Sequence, residues 1–204
     1  MTAIDDTSGL RERYPPALER SLQKQLDHLD WHCRRFIELS PFFVLASAAP
    51  DGTVDASPRG GPPGFVDVED EHTLLVPDWP GNNRLDSLTN LVDAPGVGLL
   101  FMIPGVDETL RVNGSVEVSD DPALRERFAT DGRGAPRTVL VVTVGEAYLH
   151  CAKALMRSRL WNPDSQVPRD SLPTLGEMLR DQIGSTEAPE PQEEMVARYS
   201  EILY

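Results

Sequence analysis

The residues best suited to chemistry in this sequence are a few basic side chains with glycine or an aromatic residue nearby. Guanidinium and ammonium groups hold phosphates and carboxylates through charge-assisted hydrogen bonds. They occur in the segments SPRGG and PGNNR, and in an acid-free stretch over 147–163: Arg59, Arg84 and the group Lys153, Arg157 and Arg159. Each place is a candidate site for an anionic ligand. The alternative at each is ordinary solvated surface charge.

The segment LLVPDWPGNNRLDSLTNL, residues 74–91, has the pattern of a strand, a Pro/Gly turn and a helix. Asn82 is predicted to cap this helix, with three leucines at helical spacing on one face. Arg84 then falls in the first turn, where the helix dipole disfavours a cation. A phosphate shared by Arg84 and the free backbone N–H groups would resolve the conflict. The alternative is an ordinary surface arginine beside an ordinary cap.

The composition sets limits on the class of protein. The 204 residues are 40% hydrophobic and 25% charged, as in globular proteins, and the net charge is −14. Nucleic acids and anionic membranes need a basic face, so neither is an expected partner. The apolar runs are too short to span a bilayer, and the N-terminus has no secretory signal pattern, so cytoplasmic residence is the default expectation.

Self-sufficient catalytic motifs are missing from the sequence. The two cysteines are expected to be reduced and partly buried, and the four histidines form no metal-binding pattern, so no metal is expected. There is no GxGxxG, GxxxxGK[ST] or GxSxG motif, and no pair of carboxylates stands out as acid and base. Candidate phosphate-binding residues without catalytic residues are typical of a protein whose cofactor supplies the chemistry.

The expected elements form one barrel-like domain with appendages. Residues 1–16 are predicted as an arm, 17–39 as one amphipathic helix, and 42–49 and 53–57 as a hairpin around Pro50-Asp51-Gly52. At least six short strands follow one another, and two helices close the chain over 172–183 and 193–203. This order favours a mainly β, α+β fold, an antiparallel barrel with flanking helices. The barrel domain is expected over 17–163 and a helical extension over 164–204.

The order of four segments resembles the pyridoxamine 5′-phosphate oxidase-like family of flavin-binding split barrels, most closely a branch of uncharacterised flavoproteins. The matching segments span roughly 40–163: FFVLASAAPDGTVDASPRGGPPGFV, LLVPDWPGNNRLDSLTNL, ETLRVNGSVEV and KALMRSRLWNP. Four segments in order are more specific than any one alone.

The resemblance implies a six-stranded antiparallel split barrel that forms a homodimer, with flavin mononucleotide (FMN) in a groove between the subunits. It implies three sets of cofactor-binding residues. The first runs beside the flavin ring and supplies a cation to the phosphate: Ser57, Pro58, Arg59 and Gly60. The second contacts the ribityl chain and phosphate: Pro77, Asp78, Asn83 and Arg84. The third reaches the flavin from the partner subunit or lines its entrance: Lys153, Ser158, Arg159 and Trp161.

The sequence also departs from the family's oxidases. They carry a more basic phosphate-binding segment where this chain has Asn82-Asn83-Arg84, and a C-terminal substrate-binding signature that is missing here. Oxidation of vitamin B6 is therefore not the expected activity. Other members of the wider family use the deazaflavin F420 or bind haem.

Three functions follow as hypotheses. The first is an FMN-dependent oxidoreductase that moves hydride or electrons between the flavin and a small organic substrate, with no catalytic residue assigned. The second is an F420-dependent reductase on the same fold, with Lys153 and Arg157 holding the longer anionic tail. The third is a non-catalytic flavin-binding or sensing module that signals through its terminal helices.

Overall fold

A computed structural model of the protein describes residues 3–130 and 134–202. The chain divides into two compact units, Met1–Ala154 and Leu155–Tyr204. The first unit contains a seven-stranded sheet: β1 (Phe42–Ala48), β2 (Val54–Gly60), β3 (Asp67–Val68), β4 (Thr73–Asp78), β5 (Gly96–Met102), β6 (Thr109–Ser119) and β7 (Thr138–His150). The helices that precede or join these strands are α1 (Thr7–Arg11), α2 (Glu19–Gln23), α3 (Trp31–Leu39), α4 (Asp86–Asp93) and α5 (Pro122–Glu126).

All neighbouring strands in this sheet are antiparallel, in the order β2-β1-β5-β6-β7-β4-β3. The predicted class, mainly antiparallel β with flanking helices, is confirmed. The strand count is seven where the split barrel predicts six, because Asp67 and Val68 add a two-residue strand to β4. Within the described residues, the outer edges of β2 and β3 do not pair with each other, so the sheet is not closed.

The core of the first unit lies between the sheet and α3. Phe43 and Phe101 are fully buried, with ring centroids 5.0 Å apart, and Phe65 stacks on Phe43 at 5.7 Å. Helix α3 contributes Cys33 and Ile37 to the same cluster. Alternating burial along β1, with Phe43, Leu45 and Ser47 inside, follows from the two-residue period of a strand.

The single helix predicted over 17–39 is wrong. The chain forms α2, then an extended segment, then α3, whose first turn is capped by the Asp30 carboxylate accepting from Cys33 N–H at 2.8 Å. Leu26 interrupts the helix because its backbone forms a bridge with Ala147 of β7, with N–O distances of 3.0 and 2.8 Å. The apolar residues are spaced as in an amphipathic helix, but the backbone N–H and C=O of Leu26 form their hydrogen bonds with β7 and not within a helix.

A bulge in the longest strand pair depends on glycine. The β6–β7 register shifts at Asn113/Gly114, where Asn113 pairs with Glu146 and Gly114 with Val144. A Cβ on Gly114 would lie 1.9 Å from the Thr143 carbonyl oxygen. Only glycine therefore permits this approach of the two backbones.

The second unit contains the two predicted closing helices, α7 (Leu175–Ile183) and α8 (Gln192–Ile202). Helix α6 (Lys153–Ser158) crosses the boundary between the units. Thr174 and Glu177 form a reciprocal capping box that begins α7, and Gly184 ends it with φ 67°. Leu203, the predicted end of α8, lies outside the described residues.

The helices of the described chain are all too short or too polar to cross a lipid bilayer. Both cysteines are free. Cys33 is buried, as expected, and burial raises the pKa of its thiol to about 12. Cys151 is exposed, so the expectation that both thiols are partly buried is wrong for this one. No group of three or more His, Cys, Asp and Glu residues between 3 and 130 or 134 and 202 is arranged to hold a metal ion.

Candidate functional site

A cavity of about 380 Å³ in the first unit lies beside the edge strand β2. Its walls come from one face of β2, the end of β4, the loop over 79–85, the first residues of α4 and the start of β7. Strand β2 supplies Asp55, Ser57 and Arg59, which share one face because side chains alternate along a strand. Strands β2 and β4 are separated by four others in the sheet order, so the sheet must curl to bring both to one cavity.

An ion pair joins the β2 wall of the cavity to the β4 wall. Arg59 Nη1 lies 3.0 Å from the Asp78 carboxylate, and the Asp78 side chain is only 14% exposed. Burial raises the pKa of the Asp78 carboxyl above its ordinary value, while the Arg59 guanidinium acts in the opposite direction. The pair therefore holds a desolvated carboxylate at the cavity wall.

The loop after β4 has strained backbone geometry. Asn83 and Leu85 have φ of 59° and 61°, in the left-handed region that costs energy for residues other than glycine, less so for asparagine. The Asn82 side chain accepts from Arg84 N–H at 3.0 Å and so stabilises a turn. Such local strain is frequent where a loop shapes a binding site.

The prediction that a helix opens at Asn82 is therefore wrong, since α4 begins at Asp86. Leu85 occupies the cap position without a side-chain bond and is 53% exposed, so it does not share the buried face of Leu91. Arg84 precedes the helix and lies 2.8 Å from the Asp86 carboxylate in its first turn. The predicted conflict between Arg84 and the helix dipole does not arise. The Asp86 carboxylate places a negative charge in the first turn of α4, where the dipole favours one, and it also pairs with Arg84.

Helix α4 is tied to the barrel by polar contacts. The Ser87 hydroxyl donates to the Asp55 carboxylate at 2.5 Å, and the Asn90 amide donates to the Ser47 hydroxyl at 3.2 Å. Ser87 and Ser47 are buried. These bonds fix the helix against β1 and β2, and with it the end of the cavity loop.

Two buried polar atoms on cavity-lining residues have no hydrogen-bond partner. They are Arg59 Nε, a donor, and Thr138 Oγ1, which can donate or accept. Buried polar groups in native proteins are nearly always satisfied, so each such atom needs an explanation. A ligand with oxygen acceptors, seated in the cavity, supplies one.

Five of the predicted cofactor-binding residues line the cavity: Ser57, Arg59, Asp78, Asn83 and Arg84. Pro58 and Gly60 lie on the opposite, exposed face of β2, and Pro77 pairs with Val139 in β4. The structure also gives Gly61 a packing role, because a Cβ there would lie 2.7 Å from the Phe65 ring.

Of the third predicted set, only Lys153 belongs to the first unit, where it begins α6 and does not line the cavity. The other three residues belong to the second unit and are described there. Ser158 donates to the Leu155 carbonyl at 3.0 Å, and Arg159, with φ 53°, lies 3.5 Å from Asp164. Trp161 follows two residues later, just after α6.

Sequence reasoning missed Arg137 and Thr138, which line the cavity at the start of β7. The available signal was the position of Arg137 directly before a long β-branched strand. Asp78, which the resemblance did implicate, pairs with Thr138 in the β4–β7 register. That register is a long-range contact, so the sequence pattern alone did not connect these two segments.

Comparison with known families decides the identity of the fold. The family profile described as "Pyridoxamine 5'-phosphate oxidase" matches residues 29–151, more than half of the chain. The chain belongs to this family. The matched range spans all seven strands of the sheet and every residue that lines the cavity.

Among curated protein sequences, none matches this chain significantly. Solved structures with similarity include HupZ of Group A Streptococcus, with 16% identity and a TM-score of 0.49, covering 60% of this chain and 99% of that one. An FMN-binding protein of Syntrophomonas wolfei has 8% identity and a TM-score of 0.43, covering 71% and 96%. An F420 reductase has 20% identity and a TM-score of 0.39, covering 57% and 94%. At these identities and scores, no cofactor or activity is transferred from those proteins to this chain.

Proposed function

We propose that this protein binds FMN in the cavity beside β2 and is a flavin-dependent oxidoreductase acting on a small organic substrate. The observation that carries the proposal is the convergence of two separate sequence segments, around Arg59 and around Asp78 to Arg84, on one cavity. Membership of the pyridoxamine 5′-phosphate oxidase family supports the same conclusion.

The residues present fit such a cofactor. A volume of about 380 Å³ falls within the usual range of roughly 300–1,000 Å³ for small-molecule sites. The arginines of the wall suit a phosphate, and the unpartnered Arg59 Nε and Thr138 Oγ1 suit the oxygen atoms of a phosphate or ribityl chain. Leu85 and Leu88, which also line the cavity, supply apolar surface for a flat ring.

A bound flavin supplies the hydride and electron chemistry, which no side chain of this site provides. The protein's part is to bind and orient it. The Arg59–Asp78 pair holds β2 and β4 at a fixed separation, and α4 is fastened to β1 and β2 through Ser47 and Ser87. A site held in this way is preorganised, which lowers the cost of ordering it on binding.

F420 is the second candidate cofactor on the same fold. Its longer anionic tail would need further cations along the groove, for which Lys153 and Arg157 are the candidates, whereas the cavity wall itself supplies arginines for the single phosphate of FMN. A homodimer with the cofactor at the subunit interface is part of the same proposal, because the family resemblance implies that the third set of residues reaches the flavin from the partner subunit or lines its entrance.

The decisive experiment is the absorption spectrum of freshly purified protein. We expect flavin absorbance, release of the chromophore on denaturation, and a released mass equal to that of FMN. Titration of stripped protein with FMN in competition with F420 separates the two cofactors, and light scattering of the eluted protein gives its oligomeric state. A colourless protein that takes up no FMN on titration contradicts the proposal.

Reduction of the bound flavin separates an oxidoreductase from a binding module. We expect NAD(P)H or a partner reductase to bleach the flavin absorbance, and an oxidising organic substrate to restore it. A flavin that stays oxidised with every donor tested would favour the sensing module.

A further inference from the structure

The three arginines that line the cavity differ in their partners. Arg59 lies 3.0 Å from the Asp78 carboxylate, and Arg84 lies 2.8 Å from that of Asp86. Arg137 forms no ion pair with any carboxylate in 3–130 or 134–202, and its side chain is exposed at the cavity. Arg137 is thus the cavity arginine whose charge is not already matched by a described neighbour.

The backbone that carries Arg137 is anchored on both sides. Its N–H donates to the Asp78 carbonyl at 3.0 Å, and the preceding Pro136 carbonyl accepts from Arg125 Nε at 2.7 Å. The next residue, Thr138, pairs with Asp78 across the β4–β7 ladder. The backbone of this cavity-lining arginine is therefore fixed directly beside Asp78, the partner of Arg59.

Two buried polar atoms without hydrogen-bond partners belong to residues that line the same cavity as Arg137. Thr138 Oγ1 follows Arg137 in sequence, and Arg59 Nε belongs to the residue paired with Asp78. A phosphate oxygen can accept from a guanidinium and from a hydroxyl. This end of the cavity therefore offers the donors that an oxyanion needs.

The charge balance of the wall selects among the three arginines. The lining includes three arginines and three aspartates, so an entering phosphate makes the site negative overall. If Arg59 turned to the phosphate, the largely buried Asp78 carboxylate would lose its counterion, which is costly. Arg137 can bind the phosphate without breaking an existing ion pair.

We propose that Arg137 binds the phosphate of the cofactor and makes the site selective for a phosphorylated flavin over riboflavin. This inference rests on the flavin-binding function proposed above. It assigns the main phosphate contact to the start of β7 and not to the Asn82–Arg84 segment.

The test compares FMN with riboflavin, which has the same ring and ribityl chain but no phosphate. Dissociation constants of both ligands are measured by quenching of flavin fluorescence for the wild type, Arg137→Gln and Arg137→Lys. We expect Arg137→Gln to weaken FMN binding by about 10- to 100-fold, the effect of losing a charged hydrogen bond. Riboflavin affinity should change by less than about threefold, and Arg137→Lys should restore part of the FMN affinity.

Arg20→Gln is the matched control, because Arg20 is an exposed arginine of α2 that does not line the cavity. It should leave both affinities at their wild-type values. Equal losses of FMN and riboflavin in Arg137→Gln, or no loss of either, would overturn the role of Arg137 while the flavin site stands. Wild-type protein that binds neither ligand would overturn the proposed function together with this inference.

Discussion

The core of the barrel and the wall of the cavity lie on neighbouring parts of one sheet but differ in the polarity of their side chains. The core is almost entirely apolar, and Phe43, Phe101 and Leu110 have no exposed surface. The cavity wall carries three arginines and three aspartates beside a loop with left-handed Asn83 and Leu85. The Arg59–Asp78 ion pair spans the wall from β2 to β4, and the Arg84–Asp86 pair is local to the loop and α4.

This difference separates stability from binding. Burial of apolar area is the main source of folding free energy, and it is concentrated in the core. The exposed Arg84–Asp86 pair of the wall contributes little to folding, but together with the Arg59–Asp78 pair it sets the charge that a ligand meets. We therefore expect core substitutions to change the free energy of unfolding and wall substitutions to change ligand affinity.

The largest expected effect is on the core side. Phe101→Ala should lower the free energy of unfolding by about 3–5 kcal/mol, because it removes a fully buried ring and leaves a cavity beside Phe43. Urea denaturation followed by circular dichroism measures the change. Val54→Ala, at a position 77% exposed, is the control and should cost less than about 0.5 kcal/mol. A cost below about 1 kcal/mol for Phe101→Ala would contradict this account of the core.

The second largest expected change in stability concerns the bulge in the β6–β7 strand pair. Gly114→Ala should destabilise the protein by about 1–3 kcal/mol, because its Cβ would overlap the Thr143 carbonyl oxygen. Gly96→Ala, in β5, has open space for a Cβ and should be neutral or slightly stabilising. The same urea titration measures both variants. If the two variants changed the free energy of unfolding by similar amounts, the backbones of β6 and β7 would not be as closely packed as described.

On the cavity side, Asp78 predicts a dependence of stability on pH. The folded protein raises the pKa of this carboxyl by burial, so it binds the proton more tightly than the unfolded chain does. The stability contributed by this group is complete below the ordinary pKa, near 3.8, and is lost as the pH rises through the folded value. Asp78→Asn should therefore gain stability relative to wild type as the pH rises from about 4 to about 7.

Asp51 supplies the contrast for that experiment. Hydrogen bonds from Thr53 lower the pKa of its exposed carboxyl, so its contribution is present above the ordinary pKa and is lost as the pH falls. Asp51→Asn should therefore show little change in stability relative to wild type over the same rise in pH, because the contribution of Asp51 is already complete above its ordinary pKa, near 3.8. Urea unfolding at several pH values gives both slopes, and equal slopes for the two variants would refute the assignment of Asp78 as a desolvated carboxylate.

The smallest expected effect is that of Arg84. Its side chain is 74% exposed and already paired with Asp86, so Arg84→Ala should weaken FMN binding by less than about fivefold. The fluorescence titration used for Arg137 measures it. A loss larger than that of Arg137→Gln would move the phosphate site to the loop after β4. It would also return the assignment to the one implied by the family resemblance.

Sequence patterns predicted local structure well where one local cause dominates. The hairpin around Asp51-Gly52 is present as β1 and β2, because Gly52 adopts the φ of 88° that the turn requires. The cap of α7 at Thr174 also follows from the sequence, since its partner Glu177 is three residues away. Both interactions are complete within a few residues of chain.

The predictions that were wrong involve competition from distant residues. The helix predicted over 17–39 is interrupted because Leu26 pairs with Ala147, which is more than one hundred residues away. The helix predicted to open at Asn82 begins at Asp86, because Asn83 and Leu85 take left-handed conformations in the cavity loop. At these positions, contacts that exist only in the folded sheet override the local helix propensity.

The sequence by itself determined the succession of short strands, the antiparallel fold class with flanking helices and the two segments, around Arg59 and Arg84, that carry candidate anion-binding residues. Their spacing and chemistry are local properties of the chain. Only the tertiary structure decided that Asp78 neutralises Arg59, that Asp86 neutralises Arg84, and that Arg137 joins them. Ion pairing depends on distances of a few ångströms between strands far apart in sequence, and those distances exist only after the sheet has curled.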